Sequence, residues 1–569
     1  MARPEKVRLG EILVQQKLLT PEKLKLALDE QKRSGRKLGR VFIEQGYVTE
    51  EEISEALAKQ LQVAYINLKY YNLKPEVTQK LPETQARRFR ALLLEDNPKS
   101  CKVGMADPTD LNAYDEIARI LKREIEIVVV TESQLLETVD RIYRRTGEIS
   151  GLAQELGAEL GDTAVDFGVL STTPGLEEAP VVKLLQSVFE DATQARASDI
   201  HIEPQEKKLI IRFRIDGLLH LQTEADSRIA SALVLRLKLM SGLDISEKRL
   251  PQDGRFHVKI RNNVVDVRIS TMPTQYGESV VMRLLNQGSG LLTLDRLGMP
   301  PKILERMQAV LRRPSGMVLV TGPTGSGKTT TLYAALAELN TSERKIITVE
   351  DPVEYRLPGI NQVQVHDKIE LTFGRVLRSA LRQDPDVILV GEMRDQETAE
   401  TGLRAAMTGH LVLSTLHTND AVTTPIRLLD MGAPRYMVAL SLQMVLAQRL
   451  VRLICESCAE PYTLLPGEHE WLAQALGPQT DSHRYVKGKG CSHCNGTGYL
   501  GRTGVYEMLE MSKAVVEAAN QENPALFIDV ATREIGNHTL RVHATQLVVD
   551  GKTTVDEAMR ISNEFEDAA

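Results

Sequence analysis

Apolar residues in the first sixty positions recur with helical spacing, and the whole pattern returns after a shift of 29 positions. Each copy, residues 8–31 and residues 37–60, predicts a short helix, a turn and a second helix. Thr20 and Thr49 stand where the second helices need N-caps, and Pro21 suits a first helical position. The recurring pairs include Leu9 with Leu38, Gly10 with Gly39, Leu13 with Phe42, Leu24 with Ile53, Ala27 with Ala56, Leu28 with Leu57 and Gln31 with Gln60.

The pattern changes after the repeats. Residues 61–145 predict a compact α/β continuation, with a strand at Glu124–Val130 and a helix at Glu132–Arg145. The stretch Gly147–Pro180 is rich in Gly, Thr, Ser and acidic residues, which is typical of a flexible linker. Alternating strands follow at Leu209–Ile215 and Val264–Ile269.

The last half of the chain contains short, continuously apolar runs separated by helical patterns. Such runs are typical of parallel strands buried on both faces, so an α/β fold is predicted. The runs are Met317–Thr321, Ile346–Val349, Val387–Val390 and Leu411–Leu416. The predicted organisation is a mostly helical tandem-repeat domain (1–145), a linker (146–178), an α+β domain (179–290) and an α/β domain (291–569).

Composition excludes several classes. The net charge of −7 and an aromatic content of 4%, with Trp471 the sole tryptophan, argue against a nucleic-acid polymer as partner. No run of about 18 apolar residues is present, and the N-terminus lacks a signal-peptide core, so we expect a cytoplasmic protein. Of five cysteines, four form two CxxC pairs, which in a reducing compartment indicates metal or redox chemistry.

One Gly-rich segment carries the most specific signal. Gly322–Thr329 fits GxxxxGK[ST], and it lies between the apolar run Met317–Thr321 and the helical pattern Thr330–Leu339. Lys328 is expected to reach the β- and γ-phosphates of ATP, and Thr329 to bind Mg²⁺. The alternative is a Gly-rich turn without function. The predicted phosphate contacts are Gly322, Pro323, Thr324, Gly325, Ser326, Gly327, Lys328, Thr329 and Thr330.

Hydrolysis also needs carboxylates, and two follow apolar runs. Glu350 ends one run and Glu392 follows another, at the strand ends where open α/β sheets place ligands. We assign Glu350 to orienting the attacking water and Glu392 to Mg²⁺. His410 and His417 bracket the run Leu411–Leu416, and His417 is taken as a sensor of the γ-phosphate. The alternative for each histidine is a surface or capping role.

Three stretches then identify a family. Ile347–Glu354, Asp384–Asp395 and Thr408–Asp420 resemble the Asp box, Walker B and His box of the secretion ATPases, which drive type II secretion and type IV pilus assembly. The resemblance implies a RecA-like P-loop ATPase domain, a preceding PAS-like domain and a homohexamer with ATP between these domains. It also implies a platform protein of the inner membrane as partner, with the motor peripheral to that membrane.

The same resemblance concerns the arginines. Residues 211–217 resemble the strand with which the family supplies arginines to nucleotide, and Arg212 and Arg214 alternate there with apolar positions. Arg214 is assigned to catalysis and Arg212 to nucleotide binding, while Arg268 and Arg283 are weaker candidates. The alternative is an ordinary solvated strand face.

The four paired cysteines predict a structural Zn²⁺ site. Cys455, Cys458, Cys491 and Cys494 form two knuckles that complete a tetrahedron, as in many relatives of the family. The alternative is four unliganded thiols. His493 is more plausibly a neighbour than a ligand. Residues 461–489 are expected to loop out between the knuckles.

The N-terminal repeat resembles the tandem motif of the cyclic di-GMP-binding domain of MSHA-pilus ATPases, and the whole chain resembles those motors. Two packed helical hairpins are the alternative. Copy one has Lys17 where copy two has Gly46, and Ile53 stands where leucine is usual. The implied cyclic di-GMP contacts are Arg8, Leu9, Gly10, Leu24, Leu28, Gln31, Lys37, Leu38, Gly39, Arg40, Ile53, Leu57, Gln60 and Asp107.

The sequence therefore predicts a hexameric ATPase that drives assembly of an MSHA-type pilus under control of cyclic di-GMP. One rival is a motor for type II secretion. A second is a ring helicase or DNA translocase, which acidity and scarce aromatics disfavour. A third is an adaptor with an inactive motor, against which the intact Lys328, Thr329, Glu350 and Glu392 argue.

Overall fold

The computed structural model of the chain describes residues 10, 13–14, 18–34, 38–97, 100–143, 149, 180–260, 263–286 and 292–563. Arg8, Leu9 and Lys37 lie outside these residues, as does the predicted linker apart from Ile149, and the side chain of Arg40 is not described. The chain forms two compact units. One comprises residues 1–196 with Cys455–Ala459 and Gly488–Gly498, and the other contains the rest.

The first unit begins with the repeats. The helix of copy two is capped as predicted: the Thr49 hydroxyl accepts from the Glu52 amide, and the Glu52 carboxylate accepts from the Thr49 amide at 2.7 Å. In copy one, the Lys23 amide donates to the Thr20 hydroxyl at 3.4 Å. The apolar stripes meet in a small core around Leu13, Ala27, Val41, Phe42, Ile53 and Ala56.

A three-stranded sheet follows in this unit, which confirms the predicted α/β continuation. Strand β1 pairs antiparallel with β2, and β2 pairs parallel with β3. The elements are α1 (Pro21–Ser34), α2 (Leu38–Glu44), α3 (Glu50–Leu61), α4 (Pro75–Thr78), α5 (Glu83–Phe89), β1 (Ala91–Asp96), β2 (Ser100–Met105), α6 (Leu111–Leu121), β3 (Glu124–Val129), α7 (Glu132–Ile142) and α8 (Pro180–Gln194).

The second unit starts with a six-stranded antiparallel sheet of order β6-β5-β4-β9-β8-β7. Strand β5 alternates buried and half-buried residues, as the sequence pattern predicts for one covered face. Its elements are β4 (Asp199–Pro204), β5 (Lys208–Ile215), β6 (Leu218–Asp226), α9 (Ala230–Ser241), β7 (Gln252–Ile260), β8 (Asn263–Thr274) and β9 (Gly277–Asn286).

Apart from a separate two-stranded sheet of β16 and β17, the α/β domain has a main sheet of seven strands in the order β12-β11-β13-β14-β10-β15-β18, parallel except for the β15–β18 pair. The four predicted apolar runs are its central strands, and every residue of β10, β11, β13 and β14 is buried. The fold class predicted from these runs is confirmed. Helices cover both faces of the sheet, which explains why these four central strands show no simple alternation.

The elements of this α/β domain are α10 (Pro301–Leu311), β10 (Gly316–Thr321), α11 (Lys328–Leu339), β11 (Ile346–Glu350), β12 (Asn361–Gln364), α12 (Phe373–Ala380), β13 (Val387–Val390), α13 (Gln396–Met407), β14 (Leu411–Leu416), α14 (Thr424–Asp430), α15 (Arg435–Ser441), β15 (Leu442–Ile454), β16 (Ala459–Pro461), α16 (Pro466–Leu476), β17 (Val486–Gly488), β18 (Tyr499–Glu510), α17 (Lys513–Ala519), α18 (Pro524–Ile535), α19 (Leu540–Val549) and α20 (Val555–Asn563).

The segment between the cysteine pairs corrects one expectation. Residues 461–489 are not a plain loop, because they contain α16 and a 3₁₀ turn at Gly477–Ser482. Trp471 and Leu472 of α16 and Tyr485 are buried in the core of the α/β domain. Burial of these apolar side chains stabilises a helix that the loop prediction overlooked. Among the described helices, none has both the length and the apolar character that crossing a membrane requires.

Candidate functional site

The phosphate loop connects β10 to α11, in the strand–loop–helix arrangement that the sequence predicts. Gly322 and Gly327 have φ angles of 144° and 90°, which favour glycine. A Cβ on Gly322 would lie 2.4 Å from the Gln448 carbonyl oxygen, and one on Gly327 would lie 2.7 Å from Gln448 Nε2. Both glycines are therefore required by backbone geometry and by close packing.

The loop is also fixed from β15. Gln448 is buried, its Nε2 donates to the Ser326 carbonyl at 2.7 Å, and its Oε1 accepts from the Thr331 hydroxyl at 2.7 Å. The Ser326 hydroxyl is buried and has no hydrogen-bond partner among the described residues. Because α11 begins at Lys328, its first amides face the same loop, and an unsatisfied hydroxyl there fits a phosphate oxygen.

Lys328 lies over this loop. Its Nζ donates to the carbonyl oxygens of Gly322 at 2.7 Å and Pro323 at 3.1 Å. Burial, helped by the Arg449 charge and opposed by Glu392, lowers the pKa of Lys328 to about 8. An anion would stabilise this ammonium, because the group is half-buried and its two hydrogen-bond partners are neutral carbonyls. Thr324, Gly325 and Thr329 are exposed, and Pro323 and Thr330 are half-buried.

Glu350, at the end of β11, is buried and tightly held. Its Oε1 accepts from the Thr348 hydroxyl and from Gln362 Nε2 at 3.2 Å, and its Oε2 accepts from the Tyr333 hydroxyl. Burial and this hydrogen bond raise the pKa of Tyr333. A carboxylate offers about four lone-pair sites. Three donors therefore fix the position of Glu350 and leave room for about one more.

Glu392, just after β13, has a different environment. It contacts Arg394, and His417 Nε2 lies 3.2 Å from its Oε2. Arg394 also lies 3.3 Å from Asp351. The structure thus brings His417 and Glu392 together, whereas His410 contacts the Ala405 carbonyl at 3.0 Å at the other end of β14.

The arginines have acidic partners within their own sheet. Arg212 forms two 2.7 Å hydrogen bonds to Glu203, and Arg214 lies 3.7 Å from Asp199. Arg283 also contacts Asp199, at 3.1 Å. Of the four arginines, Arg268 differs, since it contacts Glu354 at 2.8 Å and the Val353 carbonyl at 2.6 Å, next to the Glu350 strand end.

Sequence reasoning missed several residues of this site. Tyr333, Gln362 and Gln448 carry no motif signal, because each reaches its partner only through the tertiary fold. Arg394 lies within the stretch that resembles Walker B, so its nearness to Glu392 was available from sequence. No comparable signal marks Gln448, which lies on a strand far along the chain.

The four paired cysteines form one buried cluster, and their sulfur atoms all lie within 4.8 Å of one another. Cys455–Cys491, Cys458–Cys494 and Cys491–Cys494 have Sγ–Sγ distances of 3.8 Å. Zn–S bonds of about 2.3 Å in a tetrahedron give edges of about 3.8 Å, so the donor set fits Zn²⁺. The hydrogen bond with Cys455 and those from the Cys491 and Gly498 amides lower the pKa of Cys494, which favours the thiolate.

The residues proposed for cyclic di-GMP divide into two groups. Ile53 is buried in the repeat core, and Leu24, Leu38 and Leu57 pack against that core. Leu28 is 38% exposed. The described part of the stripe is thus mostly core, and Leu28 is the member of that part most accessible to a ligand.

The glycine and polar positions of the proposed cyclic di-GMP site give little structural evidence of a ligand contact. Gly39 and Gln31 are half-buried. Gly10 allows a close approach, but the group that approaches is a side chain: a Cβ there would lie 2.4 Å from Leu24 Cδ1. Asp107 accepts from the Thr109 hydroxyl at 2.6 Å, and Gln60 also has an interaction partner.

Two parts of the chain match known families. Residues 175–560 match the type II/IV secretion system proteins, and residues 61–149 match the MshEN domain. The second match begins immediately after the two repeats, so it covers the sheet-containing part of the first unit rather than the repeats.

Individual relatives cover nearly the whole chain. The type IV pilus assembly ATPase PilB of Myxococcus xanthus is 40% identical over 555 residues, 97% of this chain and 98% of that protein. Type II secretion system protein E of Aeromonas hydrophila is 42% identical over 502 residues, 86% of this chain and 98% of that protein. The X-ray structure of the Legionella pneumophila ATPase DotB is similar in fold, with a TM-score of 0.50 at 21% identity over 67% of this chain and 96% of that one.

Proposed function

This chain belongs to the type II/IV secretion system proteins and is a P-loop ATPase of that family, and on that premise we propose that its ATP hydrolysis drives assembly of a type IV pilus of the MSHA type. The observation that carries the proposal is the phosphate loop, in which Lys328 and the Ser326 hydroxyl, which has no hydrogen-bond partner in the described part of the chain, face one cradle. The PilB relative supports the pilus, because it matches 97% of the chain.

The residues of the loop bind and orient ATP. The amides at the start of α11, the Ser326 hydroxyl and the Lys328 ammonium neutralise the phosphate oxygens. Thr329 and Glu392 would hold Mg²⁺, which supplies Lewis-acid stabilisation of the transferred phosphoryl group when bound. His417, beside Glu392, would respond to the γ-phosphate, and Arg212 and Arg214 would add positive charge.

Glu350 orients the attacking water in this scheme. Its three hydrogen-bond donors hold the carboxylate in place, so the remaining lone pair points in one direction. Tyr333 therefore acts as a positioning residue, because it holds Glu350 rather than contacting ATP.

Steady-state phosphate release tests this assignment. Glu350→Gln should bind ATP with nearly unchanged affinity and hydrolyse it on the order of a hundredfold more slowly. Glu343→Gln, an exposed residue just before β11, is the matched control and should keep the wild-type rate. A Glu350→Gln rate equal to that of the control would move the water-orienting role to another residue.

A motor for type II secretion is the second candidate, and the 42% identical relative from Aeromonas hydrophila favours it. Deletion of the gene in the source bacterium separates the two. Loss of surface pili with normal exoprotein secretion supports the pilus, and the reverse result supports secretion.

We further propose a homohexamer that docks on a platform protein at the inner membrane. A purified sample that stays monomeric with ATP and Mg²⁺ would contradict the hexamer.

Cyclic di-GMP is the proposed regulator, with the tandem repeats as its site. The MshEN match at residues 61–149, next to the repeats, supports cyclic di-GMP as the ligand, and the exposed Leu28 supports the repeats as its site. Calorimetry of the full chain is expected to show binding that Arg8→Ala weakens without changing basal ATP hydrolysis, whereas Arg3→Ala binds normally. Equal affinity of the two variants would exclude Arg8 from the site.

The tetracysteine cluster is the proposed structural Zn²⁺ site. Its 3.8 Å sulfur spacing and its complete burial support four-coordinate zinc with no open position. Elemental analysis of the purified protein should give one zinc per chain, and replacing Cys458 by Ser should lower that ratio.

A further inference from the structure

The knuckle turns contact one loop of the N-terminal region. The loop is Asn67–Lys69, after α3, and it belongs to the same compact unit as Cys455–Ala459 and Gly488–Gly498. His493 Nε2 lies 2.8 Å from the Leu68 carbonyl oxygen, and the Ser457 hydroxyl donates to the Lys69 carbonyl. Two backbone carbonyls of the loop, those of Leu68 and Lys69, therefore each contact a residue that lies between the two cysteines of a pair.

These contacts differ in strength. The Lys69–Glu456 ion pair measures 2.8 Å, but both side chains are 53% exposed, so water screens it. His493 and Leu68 are buried, and loss of the imidazole would leave a buried carbonyl without that partner. The buried hydrogen bond of His493 therefore contributes more to this contact than the exposed ion pair.

The opposite side of the loop is tied to the helix of the second repeat. The Leu68 amide donates to Gln134 Oε1 at 3.0 Å, and Gln134 Nε2 donates to Glu51 Oε1 at 2.9 Å. Asn67 Nδ2 also reaches Glu51, at 3.3 Å. The neighbouring Glu50 carboxylate accepts from the Ser133 amide at 3.0 Å. The first turn of α3 and the knuckles thus hold the same three-residue loop from two sides.

We propose that the cysteine knuckles are a docking surface for the N-terminal region, and that loop Asn67–Lys69 links them to the start of α3. The knuckles are covalently continuous with β15 and β18 of the ATPase domain, at Ile454 and Tyr499. The helix α3 of the second repeat is therefore linked through this loop to the polypeptide of the ATPase domain. Zinc at the cysteines supports the docking surface by holding both turns in place. The regulatory meaning of this link rests on the proposed function, while the docking itself does not.

Hydrogen exchange of the full, zinc-loaded chain tests the proposal. His493→Ala should raise amide exchange in residues 67–71 and 132–135 by about threefold to tenfold, since one buried hydrogen bond is lost. Ser457→Ala, which keeps all four cysteines and His493, should act in the same direction. His469→Ala, on helix α16, is the matched control and should leave both segments unchanged.

Zinc content, measured on the same samples, separates loss of docking from loss of the knuckle. The proposal requires faster exchange in both segments while one zinc per chain is retained. Unchanged exchange in 67–71 in both variants would overturn the docking surface, and a change confined to 67–71 would overturn the link to α3. Because neither ATP nor cyclic di-GMP takes part, failure here is distinct from failure of the proposed function.

Removal of zinc provides an independent readout. Chelation of the wild-type protein should raise exchange in 67–71 as much as His493→Ala does, and chelation of that variant should add little. Complete zinc loss with unchanged protection of 67–71 would overturn the supporting role of the metal.

Discussion

The phosphate loop and the N-terminal repeats are both predicted ligand sites, yet their structures relate differently to their sequences. In the phosphate loop, the signature residues face a cradle with an unpartnered hydroxyl and a cation on backbone carbonyls. In the repeats, most of the apolar signature forms a core. A motif that specifies backbone geometry shows its function directly, whereas a stripe of leucines serves packing first.

The glycines of the phosphate loop and of the repeats differ in the same way. Gly322 and Gly327 have positive φ angles and contact the backbone or a fixed side chain of Gln448. Gly10 instead approaches the end of the Leu24 side chain, which can move to another rotamer. The loop glycines are thus required by their backbone conformation and by contact with Gln448, whereas Gly10 only accommodates a side chain that can move.

The largest effect is expected in the loop. Lys328→Ala should reduce ATP hydrolysis by at least about a hundredfold to a thousandfold, because it removes the cation that stabilises the transferred phosphoryl group. Phosphate release measures this, with exposed Lys302→Ala on α10 as the control. If the Lys328→Ala variant retained ATP turnover, the phosphate-loop motif would not mark the site of hydrolysis.

Truncation of a core side chain in the repeats should lower their local stability. Ile53→Ala should lower the local free energy of unfolding by about 2–4 kcal/mol, since it leaves a cavity among buried apolar side chains. Hydrogen exchange of α1 and α3 measures this change, while ATP hydrolysis by the motor stays at the wild-type rate. An effect below about 1 kcal/mol would show that the stripe is not a core.

The Lys328 pKa predicts a pH dependence of ATP binding. Because burial lowers the folded-state pKa to about 8, Lys328 is fully charged only well below that pH and loses its proton progressively above it. ATP binding restores the charge, so above about pH 8 it takes up a proton, and affinity falls by up to about tenfold per pH unit.

Calorimetry in two buffers of different ionisation enthalpy measures that proton uptake. Lys328→Met should lose the uptake together with the pH dependence. Binding without proton uptake between about pH 8 and about pH 9.5 would place the Lys328 pKa near its ordinary value.

The smallest change in stability is expected for the half-exposed residue Leu28 of the first repeat. Leu28→Ala should cost less than about 1 kcal/mol of local stability, because Leu28 is 38% exposed, yet it should weaken cyclic di-GMP binding several-fold. Leu26→Ala, 60% exposed in the same helix, is the matched control. Similar affinity in the two variants would remove Leu28 from the proposed site.

Much of the fold follows from local pattern. The strands at Val387–Val390 and Leu411–Leu416 coincide with their predicted limits, and the Thr49 cap is as predicted. The helix in residues 466–476 was missed, because it contains Pro466 and Gly467 and is stabilised by packing of Trp471 and Leu472. Local pattern finds elements whose burial is continuous, and it fails where a few distant contacts stabilise a short helix.

The sequence by itself determined the phosphate loop, the two carboxylates at strand ends and the four thiols, because each depends on residues within a few positions of one another. Only the tertiary structure decided that Gln448 fixes the loop, that Tyr333 and Gln362 hold Glu350, and that His493 contacts Leu68. The physical reason is that a hydrogen bond depends on distance in space. Partners 12 to 425 positions apart leave no local pattern in the chain.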